Sequence, residues 1–467
     1  MEENRYDLIV IGGGPGGYFS AITAAREGLS VLLFAGGAIG GTCLNEGCIP
    51  AKYLLDKASA LEKVRALTDK EIFREPGLFS FKKIQKGREE VIKKLTGGVA
   101  YLLKANQVRV IHGFAFLKEP GRVECEGKSY EAKDIIIATG SESMSVPIAG
   151  AEYTVNSTQA LALERVPRRL VIIGGGVIGM ELASAYCSFG SEVTVLEAMP
   201  ALFPAEDGRM TAYLQKELVK RGIRISTGCR VKVIEKAGQS RRVFFQGEKP
   251  EEIYADVVIL AAGRKPVCRG IDTEKLGLAL TEKKEIWVDG HMQTSVPHIY
   301  AVGDVIGGYQ LAHAAYAEGG TAVAHILGKD GTTVCKIEKA FAAPEMPRCI
   351  YTIPPYAAVG LTQAEARDKG IDAVRGEFSY SGNGMALAEG AEGLVQVVMD
   401  RESETTAGIQ IIGEGAPEML SFAALAVKER MTLNEWQQLI VAHPSLSEMI
   451  KEAALDCFGK SVHGAVR

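Results

Sequence analysis

One strand-turn-helix signature occurs twice in this chain, and the repeat restricts the fold more than any other feature. Residues 7–11 form a short apolar run entering Gly12-Gly13-Gly14-Pro15-Gly16-Gly17, after which a helical pattern runs over 18–27 and stops at Gly28. Residues 170–173 enter Gly174-Gly175-Gly176-Val177-Ile178-Gly179 in the same way, with a helical pattern over 180–189 and a stop at Gly190. In that context a glycine turn lets backbone N–H groups and a helix N-terminus approach a pyrophosphate. A lone copy also occurs in unrelated loops. Two copies in context predict an α/β chain with two Rossmann-like dinucleotide-binding units, one using Gly12, Gly14 and Gly17, the other Gly174, Gly176 and Gly179.

Each unit is then tested by an acidic residue about 20 positions on, whose carboxylate accepts hydrogen bonds from a ribose 2′-hydroxyl. In the second unit that position is Glu197, at the end of a strand predicted over Glu192–Leu196. The following Ala198-Met199-Pro200 brings no arginine to receive a 2′-phosphate, so NAD is favoured over NADP. In the first unit the position is Ala35, beside Phe34, Gly36 and Gly37, and no side chain there accepts a hydrogen bond. Losing hydrogen bonds to a charged acceptor costs ~1.5–3 kcal/mol, or about one to two decades of affinity.

Composition removes other classes of answer. At a prior of ~150 residues per domain, 467 residues make about three folded units. Charges of 53 Lys+Arg against 57 Asp+Glu, without a basic stripe, exclude nucleic acid as a partner. Apolar runs are broken well short of the ~20 residues of a membrane span, and the acidic start Met-Glu-Glu-Asn-Arg is unlike a signal peptide, so a cytoplasmic location is expected. The 9 cysteines are odd in number and scattered, unlike a secreted disulfide framework.

Only Cys43 and Cys48 are close in sequence. On a straight helix residues five apart have Cα atoms about 8–9 Å apart, beyond the ~7 Å limit for a disulfide. A local distortion is needed to join them, and Gly47 permits one. Zinc would want further ligands, and none lies nearby, so no metal is expected. A helix predicted over 51–64, just after Cys48 and Pro50, would favour a thiolate at Cys48. Two unlinked, inert thiols are the alternative. Cys125, Cys187, Cys229, Cys268, Cys335 and Cys349 read as packing or incidental thiols.

With these residues in view, the chain resembles the flavin-dependent pyridine nucleotide–disulfide oxidoreductases, in particular their dihydrolipoamide dehydrogenase branch, over nearly its whole length. The resemblance rests on the thiol segment from Gly40 to Lys52, Ala138-Thr139-Gly140-Ser141, the second glycine turn with Glu181, Ala262-Gly263-Arg264, Ala301-Val302-Gly303-Asp304 and His443-Pro444-Ser445-Leu446-Ser447-Glu448. It implies FAD in the first unit, with Lys52, Thr139, Gly140, Gly303 and Asp304 among its contacts, and NAD in the second, with Glu197, Gly263 and Arg264. It implies that Cys48 faces the flavin, that Cys43 exchanges with a dithiol substrate, and that Lys52 pairs with Glu181. His443 and Glu448 match a catalytic dyad that reaches the disulfide of the other subunit, implying a homodimer. An imidazole near neutrality can take a proton from a thiol, and a carboxylate can orient it.

The implied reaction is FAD-dependent oxidation of a protein-bound dihydrolipoyl group by NAD+. The partners are lipoyl domains of a 2-oxo acid dehydrogenase, acetoin dehydrogenase or glycine cleavage complex. The alternatives are another NAD(P)H-dependent disulfide reductase of the family, or a flavin-depleted, non-catalytic scaffold subunit. Mercuric reductase is disfavoured by the solitary Cys457, and glutathione reductase by Glu197. Ala35 and Pro355 depart from the family pattern and predict weaker retention of FAD, which Ala35→Glu should strengthen.

The expected organisation is an FAD-binding domain over 1–142 that resumes over 267–336, an NAD-binding domain over 143–266, and an α+β interface domain over 337–467. In the last, strands are predicted over 343–351, 394–399 and 408–412, and helices over 416–430 and 433–442.

Overall fold

The computed structural model describes residues 4–73, 78–328 and 345–464. Cys335, the boundary expected at 336/337 and the first residues of the strand predicted from 343 lie outside the described residues.

Strand Arg5–Ile11 pairs in parallel with Val31–Ala35 on one side and Lys128–Ile137 on the other, and Val31–Ala35 pairs in parallel with Arg109–His112. Ile299–Ala301 also runs parallel to Lys128–Ile137, with Ala301 opposite Ile137. The strands are apolar on both faces because helices cover the sheet, as parallel sheets require. Leu8, Ile9, Val10, Leu32 and Leu33 are fully buried. The carboxyl ends of these strands share one edge, so Gly12, Ala35, Thr139 and Gly303 come together there from distant parts of the sequence. Ligands of open α/β sheets bind at such an edge.

A second parallel sheet takes the order Arg224–Ser226, Glu192–Leu196, Arg169–Ile173, Val257–Leu260. The chain passes between the two sheets through Ser141–Ser143 and Arg264–Pro266, which pair antiparallel. A third, antiparallel sheet of five strands runs Arg348–Ile350, Tyr356–Gly360, Thr406–Ile412, Leu394–Asp400, Ala373–Ser379, with helices Ala416–Lys428 and Glu448–Asp456 packed on it. One apolar cluster joins Leu54 and Leu55 of helix Cys48–Asp69 to Tyr186 of the second unit and Ile350 and Tyr356 of the third sheet, so the thiol helix is wedged between them.

Several element ends differ from expectation. The helices after the glycine turns start earlier, at Pro15–Arg26 and Val177–Ser188. Proline at the first helical position costs nothing, because that N–H has no helical partner. The helix at the thiols begins at Cys48 itself. The helix predicted over 433–442 ends at Gln438, where Leu439 turns extended and Lys451 Nζ donates to the carbonyls of Gln437 and Leu439. Residues 439–442 continue the apolar pattern, yet Ile440 is 94% exposed.

Candidate active site

Gly40 and Gly41 both take positive φ, 92° and 57°, and open the short helix Gly41–Asn45. A Cβ on Gly41 would fall 2.6 Å from Gly14 Cα, so the thiol segment lies directly on the first glycine turn. Asn45 Nδ2 donates to the carbonyls of Ile39 and Gly41 and fixes this loop. Helicity then breaks at Glu46 and Gly47, and Cys48 opens the next helix. Gly47 is needed for proximity, not for left-handed backbone: its φ is −135°, and a Cβ there would meet Thr42 O at 3.0 Å. This break supplies the distortion that the cysteine spacing demanded.

Cys43 and Cys48 are both thiols here, and their side chains are hydrogen-bonded to each other. That contact, with desolvation acting the same way, drives the Cys43 thiol up. Accepting the same hydrogen bond, with Lys52 nearby, outweighs desolvation at Cys48 and brings its pKa down to about 7. The pair therefore carries its proton on Cys43 and its negative charge on Cys48, at the start of a helix that also favours an anion.

Lys52 Nζ donates to both carboxylate oxygens of Glu181, at 2.9 and 2.8 Å, and lies 4.4 Å from the centre of the Tyr351 ring. Glu181 also accepts the backbone N–H of Tyr351 at 3.0 Å. Tyr351 had no place in the sequence reading, because it reaches the site from the third sheet. Cys349, in the strand that leads to Tyr351, also lines the cleft, but burial pushes its thiol up to about 11, leaving it protonated at neutral pH.

A cleft of about 1830 Å³ runs past these groups and is lined by Gly12, Gly14, Thr139, Gly140, Gly303, Asp304, Cys43, Cys48, Lys52, Glu181, Val177 and Arg264. Only Gly41 Cα, at 3.9 Å, comes near a Cβ built on Gly14, so the space beside this turn is open to a ligand. Asp304 Oδ2 accepts Ser141 Oγ at 2.5 Å, and Arg264 Nε in turn donates to Ser141 Oγ at 2.7 Å. Gly303 N donates to Glu318 at 2.6 Å, and burial raises the Glu318 carboxyl to about 7. The cleft's glycine turn, carboxylate and lysine suit a flavin dinucleotide along most of its length. Pro355 is not among the lining residues; its carbonyl accepts Gly413 N in the third sheet. That departure gives no reason for weaker FAD retention.

In the second unit Gly176 has nothing within 4 Å of a built Cβ. Glu197 Oε2 accepts Gly175 N at 2.5 Å and Oε1 accepts Met199 N at 2.7 Å, which fixes the carboxylate beside the turn. Gly179 packs against Gly174 O, and Gly263 and Arg264 close the neighbouring strand end.

His443 Nδ1 is 3.0 Å from Glu448 Oε1, and Ser445 N donates to Glu448 Oε2 at 2.9 Å. Desolvation raises the Glu448 pKa, but these two hydrogen bonds outweigh it and hold the carboxyl below its ordinary range. The His443 side chain is 78% exposed and is not among the residues lining its own chain's cleft. The structure thus unites Cys43, Cys48, Lys52 and Glu181 and leaves the His443–Glu448 pair apart from them. Sequence reading also missed Tyr18 and Tyr316, whose hydroxyls are 2.6 Å apart and whose pKa values burial raises.

Residues 6–319 match the pyridine nucleotide-disulphide oxidoreductase family, and residues 346–454 match its dimerisation domain. The chain belongs to this family: it is an FAD-dependent, NAD-linked disulfide oxidoreductase. It is 40% identical over 465 residues to a dihydrolipoyl dehydrogenase of Bacillus subtilis, covering 98% of this chain and 99% of that one. It is 41% identical over 466 residues to a dihydrolipoyl dehydrogenase of Thermus scotoductus, covering 98% of each. Among solved structures it is similar to the HOCl-induced flavoprotein disulfide reductase RclA of Escherichia coli, with a TM-score of 0.84, 26% identity, and 96% of this chain and 99% of that chain covered. No described helix is long and apolar enough to cross a membrane.

Proposed function

We propose that this chain is the dihydrolipoyl dehydrogenase of a lipoyl-bearing multienzyme complex in the cytoplasm, oxidising protein-bound dihydrolipoamide with NAD+. The observation that carries the reading is the hydrogen-bonded Cys43–Cys48 pair, with Cys48 opening a helix, beside the Lys52–Glu181 ion pair on the cleft.

In the oxidised enzyme Cys43 and Cys48 form a disulfide. His443, supplied by the opposite protomer of a homodimer, takes a proton from one thiol of the substrate. Its Nδ1 is engaged by Glu448, so Nε2 is the nitrogen that exchanges protons. The substrate thiolate attacks Cys43, the Cys43–Cys48 bond breaks, and Cys48 leaves as a thiolate. The second substrate sulfur then displaces Cys43 as its proton passes to the leaving Cys43 sulfur, closing the lipoyl disulfide and leaving the Cys43 thiol and Cys48 thiolate described above. The first glycine turn and Asp304 would hold FAD, which would supply a two-electron carrier between the Cys48 thiolate and NAD+. Lys52 holds positive charge against Cys48, and Glu181 fixes Lys52 in place. NAD+ would be held on the second turn, where Glu197 would accept hydrogen bonds from its adenosine ribose. The same reading divides the chain after 142, 266 and 336.

Rates of NAD+ reduction with the dihydrolipoyl (reduced) form of lipoylated domains from a 2-oxo acid dehydrogenase, an acetoin dehydrogenase and a glycine cleavage system test the assignment. Turnover of at least one, abolished by Cys43→Ser, is the expected result. Turnover of none, with NADH-driven reduction of another disulfide, would move the chain to another branch of the family.

A further inference from the structure

The two glycine turns are laid out alike, down to the residues that close them. A Cβ on Gly175 would meet Glu197 Cβ at 3.1 Å and Leu202 Cδ2 at 2.5 Å; one on Gly13 would meet Ala35 Cβ and Ile39 Cδ1, both at 3.3 Å. Ala35 therefore occupies the place of Glu197, and a methyl group stands where the second unit has a carboxylate.

The neighbouring segment differs too. In the second unit the loop beside Glu197 carries Thr227 and Gly228, with Gly228 N donating to Met199 O. In the first unit it carries Gly113 and Phe114, with Gly113 N donating to Ala35 O at 3.0 Å. Cδ1, Cδ2 and Cε1 of Phe114 all lie 3.6 Å from the Cβ position of Gly36, so one face of the ring covers that glycine. The ring is 49% exposed, and it lines the same cleft as Gly12, Gly13, Gly14, Gly36 and Gly37. An exposed aromatic face at the sugar end of a nucleotide cleft suits a base, because every purine offers a π-face for stacking.

We propose that Phe114 stacks on the adenine of FAD in place of the missing ribose carboxylate, so that this subsite selects the base and is indifferent to the ribose 2′-hydroxyl. The inference rests on FAD occupying the first unit. It makes Phe114 an affinity-determining residue for the cofactor, with the thiols and the second unit untouched.

The test strips flavin from the full-length homodimer and titrates it with FAD and with the 2′-deoxyadenosine analogue of FAD, reading flavin fluorescence. Phe114→Ala should raise the FAD Kd by about 5- to 150-fold, the range base–aromatic stacking supports. Phe114→Tyr should stay within about threefold of wild type, and NAD+ affinity at the second unit should be unchanged in both, showing that each variant is folded. Wild type should bind FAD and the deoxy analogue within about twofold of each other, whereas Ala35→Glu should prefer FAD. A folded Phe114→Ala protein with wild-type FAD affinity would overturn the proposal, as would wild type preferring FAD to the deoxy analogue by more than about tenfold. Wild type that binds no FAD would instead fail the cofactor assignment itself, and this proposal with it.

Discussion

Gly17 and Gly179 stand at the same point of the two nucleotide-binding units: a Cβ would fall 1.8 Å from Gly12 O in one and 2.0 Å from Gly174 O in the other. Gly12 and Gly174 repeat the correspondence, 2.1 Å from Ala138 O and 2.4 Å from Ala261 O. These four glycines serve packing, since backbone lies where any side chain would go. Gly14 and Gly176 face open space in both units and serve the ligand. The units then part at the strand end, where one has Ala35 with the Phe114 ring close by and the other has Glu197 hydrogen-bonded to its own turn. Two of the three motif glycines in each unit thus report the fold, and what the site recognises is decided by residues outside the motif.

The largest expected effect tests the shared half. Gly17→Ala and Gly179→Ala should each cost about 3 kcal/mol or more, because the opposing atom is backbone and cannot move aside cheaply. Denaturant unfolding of the full chain measures this; a Gly17→Ala protein as stable as wild type would break the packing half of the comparison. Gly176→Ala, with nothing within 4 Å, should leave stability unchanged and act only on NAD+.

Making the second unit resemble the first comes next. Glu197→Ala should raise the NAD+ Kd by about 10- to 100-fold, from hydrogen bonds worth ~1.5–3 kcal/mol, while FAD retention stays as it was. Calorimetric titration reads the first quantity and flavin content the second.

The first unit alone also carries thiols, and their charge depends on Lys52. Lys52→Met removes a cation that lowers the Cys48 pKa, so thiolate formation should move from about 7 up toward the ordinary thiol value near 8.5. The rate of alkylation of the reduced enzyme against pH follows this directly. An unshifted profile would leave the hydrogen bond from Cys43 and the helix start, without Lys52, as the sources of the low pKa.

The smallest effect converts the first unit toward the second. Ala35→Glu should lower the FAD Kd by no more than about tenfold, since the subsite already has the Phe114 face. A much larger gain would mean that the ring contributes little.

Features set by neighbours in sequence were legible in advance. The strand Glu192–Leu196 lies where the apolar run put it, and both glycine turns open helices. The thiol spacing demanded a break near Gly47, and one is there. What failed depended on contacts from elsewhere in the chain. Residues 439–442 look like a continuing helix, but Lys451 caps the chain at Leu439 and sends it toward His443. Tyr351 and Phe114 belong to segments whose place beside Lys52 or Ala35 is set by strand pairing across the molecule. The residues read by resemblance as catalytic fall into two groups, Cys43, Cys48, Lys52 and Glu181 on the cleft of a single chain, and His443 and Glu448 at the entry to the last helix.

In the proposed reaction, electrons from a dihydrolipoyl group enter at Cys43 and leave through the Cys48 thiolate to FAD and NAD+. Anaerobic titration of the FAD-loaded homodimer with dihydrolipoamide, followed in the visible spectrum, tests it most directly. Long-wavelength absorption of a thiolate against flavin should grow in with the first equivalent and disappear as added NAD+ becomes NADH, and Cys48→Ser should abolish it. A bound flavin that ignores dihydrolipoamide while responding to NADH would contradict it.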